Sequence, residues 1–131
     1  SDLIAQAQEG GTQALADATL GRWFTAPYHD SNPDEVALVR KMINSSNLTG
    51  YLGCARAIRD MSQCDVLGQI KAPTIVIVGE EDPACPVSSA KVLHEGVEDS
   101  ELVIIKDAAH LPNIQRRDEF NQVLLGFLSA Q

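Results

Sequence analysis

No stretch of this 131-residue chain approaches the roughly 20 consecutive apolar residues that a membrane-spanning helix requires. It also has no basic segment leading into an apolar core, so neither a membrane span nor a secretory leader is expected. Basic residues are in deficit, with 10 Lys and Arg against 18 Asp and Glu and a formal charge of −8. The chain therefore lacks the basic footprint of a nucleic-acid binder, and its spread-out negative charge favours nothing more specific than solubility. Cysteine is scarce. Cys54, Cys64 and Cys85 are odd in number and lack the spacing of a disulfide framework or a metal cluster, so reduced thiols in a cytoplasmic protein are expected. The opening "SDLIAQAQEGG" carries no initiating Met, which is consistent with a piece of a longer protein.

What is present divides near residue 69. Before it the signals are helical throughout, and residues 1–68 are read as one helical region. "GGTQALADATLGRWF" offers Thr12 as a cap and an apolar series through Leu15, Ala18 and Trp23. "DSNPDEVALVRKMI" places Asn32 as N-cap, Pro33 at the first helical position, and Asp34 and Glu35 in the first turn. Val36, Val39 and Ile43 form its apolar stripe, widened by Leu38 and Met42. "NLTGYLGCARAIRDM" suggests a third helix with Leu48, Leu52, Ala55 and Ile58 on one face, although Gly50 and Gly53 weaken it.

Residues 69–131 follow a different pattern. "IKAPTIVIVGEED" is a continuous β-branched run without polar alternation, so it reads as a strand covered on both faces in a parallel sheet. "VSSAKVLHEG" predicts a helix closed by Gly96 as its C′ residue. "SELVIIKDA" reads as a second buried strand, and "RRDEFNQVLLGFLSA" as a final helix presenting Phe120, Val123, Leu124, Phe127 and Leu128. The order is β-α-β-α. Two parallel strands make a poor core by themselves, so this half reads as the end of a larger doubly wound sheet.

Asp82 lies just past the end of the first strand and His110 just past the end of the second. Neighbouring parallel strands are about 5 Å apart, so an Asp and a His on consecutive loops can meet. The carboxylate would accept from Nδ1–H and leave Nε2 free as a base. Taken singly, Asp82-Pro83 reads as a turn and His110 as a loop residue, and it is their paired placement that points to chemistry. His29, in an expected loop, and His94, on an expected surface helix, carry no neighbouring signal.

"PTIVIVGEEDPACPV" followed by "DAAHLPNIQRRDEFNQVLLGFL" resembles the last two strands and helices of the α/β-hydrolases, with Gly79, Asp82 and Pro86 in one motif and Ala108 and His110 in the other. In that family the triad runs nucleophile, acid, histidine along the chain, which implies Asp82 as acid and His110 as base. The helical phrases before residue 69 resemble the cap of 3-oxoadipate enol-lactonases. The fold implied is the C-terminal part of an α/β-hydrolase, a helical cap followed by β-α-β-α with parallel strands, lacking the N-terminal strands and nucleophile elbow.

The resemblance implies a serine hydrolase that opens a small, carboxylate-bearing enol-lactone to 3-oxoadipate in aromatic catabolism, with no metal or organic cofactor. Arg22 beside Trp23, Arg56 and Arg59 are then candidates for binding the substrate, since a guanidinium fork suits a carboxylate. No G-x-S-x-G occurs in the chain. Cys54 and Cys64 precede the acid but fall on or beside expected helix, not on a strand-to-helix turn. This chain alone is expected to be inactive. Alternatives are another α/β-hydrolase, such as an esterase, a haloperoxidase-like protein or a C–C bond hydrolase, or a non-catalytic module. Such a module would pair with itself or with an N-terminal hydrolase portion through its open sheet edge.

Overall fold

The computed structural model describes residues 2–130. They form two compact units, one comprising the residues up to Gly21 together with Ala26–Ser62, the other Arg22–Thr25 together with the residues from Gln63. Among the described residues no helix is long and apolar enough to cross a membrane.

The first unit is helical. It contains α1 (Asp2–Gly10), a 3₁₀ turn at Thr12–Leu15, most of α2 (Ala16–Trp23), α3 (Ala26–Ser31), α4 (Pro33–Ser45) and α5 (Leu48–Asp60). Pro33 opens α4 with its φ already set, and Asp34 and Glu35 lie where the helix macrodipole favours a negative charge. Asn47 caps α5 by accepting a hydrogen bond from the Gly50 amide at 3.0 Å, an arrangement typically worth about 1 kcal/mol. Gly50 thus sits where the cap bond lands. Ala7, Leu15, Ala16, Leu20, Val36 and Val39 are the buried apolar residues of this unit.

Several expectations fail here for local reasons. Thr12 makes no cap bond, because the turn is entered through Gly11 at φ 68° and the buried Thr12 hydroxyl donates to the Ser46 carbonyl instead. Leu38 and Met42 do not widen the core stripe of α4, since they lie on its outer face and are 61% and 62% exposed. Ile58 is likewise exposed on α5. His29 is on the short helix α3 rather than in a loop, with its Nε2 3.1 Å from the Leu20 carbonyl.

The second unit follows the β-α-β-α order: a 3₁₀ turn at Cys64–Gln69, β1 (Ile75–Gly79), α6 (Val87–Gly96), β2 (Glu101–Ile105), α7 (Pro112–Gln115) and α8 (Arg117–Ser129). β1 and β2 pair in parallel, from Ile75 opposite Glu101 to Gly79 opposite Ile105. α6 packs on both strands and α8 on β2. The strands are not fully covered on both faces as their sequence suggests. Burial is complete only at their carboxyl ends, at Val78, Gly79 and Ile105. A sheet of two described strands is too narrow for two helices to enclose.

Gly96 is not a left-handed cap. It is the last helical residue of α6, and the chain leaves through Val97 in an extended conformation. Its small size serves packing: a Cβ there would lie 2.9 Å from the Cβ of Leu67 and 2.6 Å from its Cδ1, so the 3₁₀ turn can rest on the helix only if the position is bare. Alanine would gain about 1 kcal/mol in helix propensity, while overpacking costs about 1–3 kcal/mol. With Leu67's own Cβ in the way, the second effect should win. Gly96→Ala is expected to lower unfolding stability in urea by up to about 2 kcal/mol, and adding Leu67→Gly, which takes away the clashing Cβ, should remove the strain. A stabilised Gly96→Ala chain would show that the turn yields freely.

Candidate active site

β1 and β2 end side by side, and the ladder continues one step beyond them, with the Glu80 amide donating to the Ile105 carbonyl at 2.8 Å. Each chain then turns. The acid loop closes with the Asp82 amide donating to the Gly79 carbonyl at 3.2 Å. The base loop turns through Asp107, whose φ of 51° lies in the left-handed region that Asp tolerates better than most residues. A bond from the Glu81 amide to the Ala108 carbonyl, 2.9 Å, then ties the two loops together.

This approach depends on Gly79. A Cβ at that position would lie 2.1 Å from the Ala109 carbonyl oxygen and 2.4 Å from that of Ala108. Both contacts are with backbone, which no rotamer change relieves. Ala108 and Ala109 are themselves buried. Small residues at 79, 108 and 109 let two strand-end loops touch.

The contact brings Asp82 and His110 together. His110 Nδ1 lies 2.8 Å from Asp82 Oδ2, with the Asp82 side chain 5% exposed and that of His110 30% exposed. The other carboxylate oxygen, Oδ1, accepts from the Ala84 and Cys85 amides at 2.8 and 2.9 Å. That is an Asx-type turn, so the turn reading of Asp82-Pro83 and the partner reading hold together. A carboxylate only accepts, so Nδ1 carries a proton, and in the neutral ring Nε2 is then the bare nitrogen. Burial pushes the nearby Cys85 thiol up from its ordinary value, and the Asp82 charge adds to the effect.

The remaining site candidates separate. Trp23 stacks on the His110 ring, with centroids 5.9 Å apart and planes 28° from parallel. Its carbonyl also accepts from the Leu111 amide at 3.2 Å, so the 22–25 segment grips the base loop by ring and backbone. Arg22 precedes it at the end of α2, half-buried, in the same unit. Arg56 and Arg59 are exposed on α5 in the first unit. Arg59 is already engaged, with Nε 2.6 Å from Asp60 Oδ1 and an amino nitrogen 2.8 Å from Oδ2. That hydrogen bond holds the Asp60 carboxyl below its ordinary value.

Gln115 is a site residue that the sequence did not single out. Its side chain accepts from the Ala109 amide at 3.2 Å and donates to the Asp107 carbonyl at 2.9 Å and to the Thr25 hydroxyl. Its position in "HLPNIQ" at the end of a one-turn helix is the available signal, and it is weak. A cavity of about 450 Å³ adjoins the pair, lined by Asp82, Cys85, His110, Cys64 and Leu93 and by the consecutive residues 76–79. Consecutive strand residues can all line one cavity only along an unpaired edge, and β1 has no second neighbour among the described residues.

A parallel β-α-β-α unit with an acid and a histidine meeting beyond successive strand ends defines the class: the chain carries the C-terminal part of the α/β-hydrolase fold. Within that class it is similar to enol-lactonases. It is 30% identical over 126 residues to 3-oxoadipate enol-lactonase 1 of Acinetobacter baylyi, covering 94% of this chain and 46% of that protein. The crystal structure of the enol-lactonase from Burkholderia xenovorans LB400 matches with a TM-score of 0.93 and 32% identity, covering 96% of this chain and 48% of that one. A 2-hydroxy-6-oxononadienedioate/2-hydroxy-6-oxononatrienedioate hydrolase of Klebsiella pneumoniae is 38% identical over 63 residues, 48% of this chain and 22% of that protein. No protein-family model matches the chain. It spans about half the length of the curated enol-lactonases it matches.

Removing the Gln115 side chain leaves the buried Ala109 amide without its partner, at a cost of about 1–3 kcal/mol. Gln115→Ala is therefore expected to lower stability by that amount and to speed hydrogen exchange at the Ala109 amide. Unchanged protection at Ala109 would mean that the loop holds itself.

Proposed function

We propose that this chain supplies the acid and the base of a hydrolase that opens an enol-lactone, with Asp82 orienting His110 and His110 moving the proton. The observation that carries the reading is the 2.8 Å contact between Asp82 Oδ2 and His110 Nδ1, which leaves Nε2 as the free base. Relatives named as 3-oxoadipate enol-lactonases, matched over nearly the whole chain, support the substrate class.

In this scheme a serine attacks the lactone carbonyl and His110 Nε2 takes its proton, while Asp82 stabilises the imidazolium that forms. The enolate leaves readily and takes the proton back from His110, so ring opening needs little further acid assistance and the imidazole is neutral again. Water then attacks the acyl-enzyme, His110 takes its proton and returns it to the departing serine oxygen, and the released product is 3-oxoadipate. Trp23 holds the plane of the His110 ring throughout. The serine is not within a G-x-S-x-G of these 131 residues. A hydrolase portion carrying it would pair along the unpaired edge of β1. For the substrate carboxylate Arg22 is the favoured partner, because it directly precedes the Trp23 that stacks on His110. Arg59, already paired with Asp60, is the least suited.

The test compares the 131-residue chain alone with the same chain within a complete hydrolase core. The isolated chain is expected to leave both enol-lactone and simple esters unhydrolysed. In the complete enzyme, Asp82→Asn should lower kcat by about 10⁴-fold, as loss of the orienting carboxylate does in a serine triad. Enzyme-like turnover by the isolated chain, or full activity of His110→Gln in the complete enzyme, would end this reading. A preference for simple esters or C–C bond substrates over the lactone would replace its substrate.

A further inference from the structure

Cys85 has no part in the hydrolase scheme, yet it occupies the acid loop three residues after Asp82 and is exposed. The spacing of the three cysteines along the chain suggests no metal site. Folding changes the grouping, because Asp82, Cys85 and His110 each offer one ligand atom, and these atoms all lie within 4.8 Å of one another. We infer that Asp82, Cys85 and His110 form a binding site for a thiophilic divalent cation of the Zn²⁺ type.

The ligand set fits that class of ion. A thiolate, an imidazole and a carboxylate are the donors Zn²⁺ takes, and a soft sulfur excludes Mg²⁺ and Ca²⁺, which prefer oxygen. Bonds of about 2.0–2.3 Å in tetrahedral geometry put ligand atoms about 3.3–3.8 Å apart. Ligand atoms already within 4.8 Å need only small adjustments: the exposed cysteine side chain can close by rotating, and Asp82 Oδ2 and His110 Nδ1, 2.8 Å apart, must open by roughly 0.5 Å. Two of the ligands share one loop, whose backbone is fixed by the Ala84 and Cys85 amides donating to Asp82 Oδ1. Those same bonds orient the carboxylate, as outer-shell partners do in metal sites. The adjoining cavity of about 450 Å³ provides an entry path and room for a fourth, solvent ligand.

Binding requires the thiolate. The Cys85 S–H bond breaks, a sulfur–metal bond forms, and that proton leaves to solvent, while His110 gives up its Nδ1 proton and carries one on Nε2 instead, so that Nδ1 can ligate, with no change of oxidation state. Binding therefore releases a proton, as it does at any cysteine ligand. Once bound through the imidazole, the ion would keep His110 from acting as a base. That consequence rests on the proposed hydrolase function, whereas the site itself does not.

Zn²⁺ titrated calorimetrically into the reduced chain is expected to bind one equivalent, and Cd²⁺ to produce the ultraviolet charge-transfer band of a thiolate ligand. Cys85→Ser should abolish the band and weaken Zn²⁺ binding by at least about 100-fold, the upper end of what loss of an outer-shell partner costs. A chain carrying both Cys54→Ser and Cys64→Ser should bind as the parent does. In the unaltered chain, Zn²⁺ should slow iodoacetamide labelling of Cys85 and leave Cys54 unaffected, a readout that needs no variant to fold. Zn²⁺ binding that survives Cys85→Ser, a band that vanishes with Cys54 and Cys64 instead, or Cys85 labelling indifferent to Zn²⁺ overturns the site. Each outcome is independent of whether the complete protein hydrolyses a lactone.

Discussion

The second unit is organised around one close approach, that of the Gly79 α-carbon to the carbonyls of Ala108 and Ala109. A methyl group at position 79 would meet backbone oxygens at 2.1 and 2.4 Å, so the contact exists only because the residue has no side chain. Asp82 lies three residues beyond Gly79, and His110 directly follows Ala109. The approach aligns the two loops so that the Glu81 amide reaches the Ala108 carbonyl, and that in turn sets Asp82 against His110.

Around this contact the loops are held from three directions. Asp107, left-handed at φ 51°, reverses the chain after β2. Gln115 reaches back to the base loop it follows, taking the Ala109 amide and giving to the Asp107 carbonyl. Trp23 covers the face of the His110 ring. A carboxylate at 5% exposure beside an imidazole at 30% puts the acid inside and the histidine at the surface of the cavity, the arrangement that the proposed acid–base role needs. The same geometry brings in Cys85. A loop that fixes a carboxylate by two amide hydrogen bonds also fixes the backbone that carries the thiol three residues further on, so the proposed proton relay and the proposed soft-cation site share one cluster.

The features legible in the sequence were those with a local signature. The β-branched runs ending at Gly79 and Ile105 marked the strands, and the parallel pairing of β1 with β2 followed from them. Asp82 and His110 could be paired because strand spacing converts position after a strand into proximity. Illegible features were those fixed by distant contacts. Gln115 acts through hydrogen bonds to Thr25, Asp107 and Ala109, and no periodicity records such a set. Gly96 carries the composition of a helix cap, but the pressure that keeps it bare comes from Leu67, across a strand and a helix. Thr12 looked like a cap and Leu38 like core, yet a buried hydroxyl found a distant carbonyl and a leucine was left on an uncovered face.

The account rests on the carboxylate of Asp82 holding the Nδ1 proton of His110, and proton NMR of the isolated chain tests this directly. The structure predicts a strongly downfield, slowly exchanging imidazole proton correlated with His110 Nδ1, shifted in Asp82→Asn and absent in His110→Gln. A His110 ring whose Nδ1 bears no proton, or whose proton exchanges as freely as that of a solvent-exposed imidazole, would contradict it.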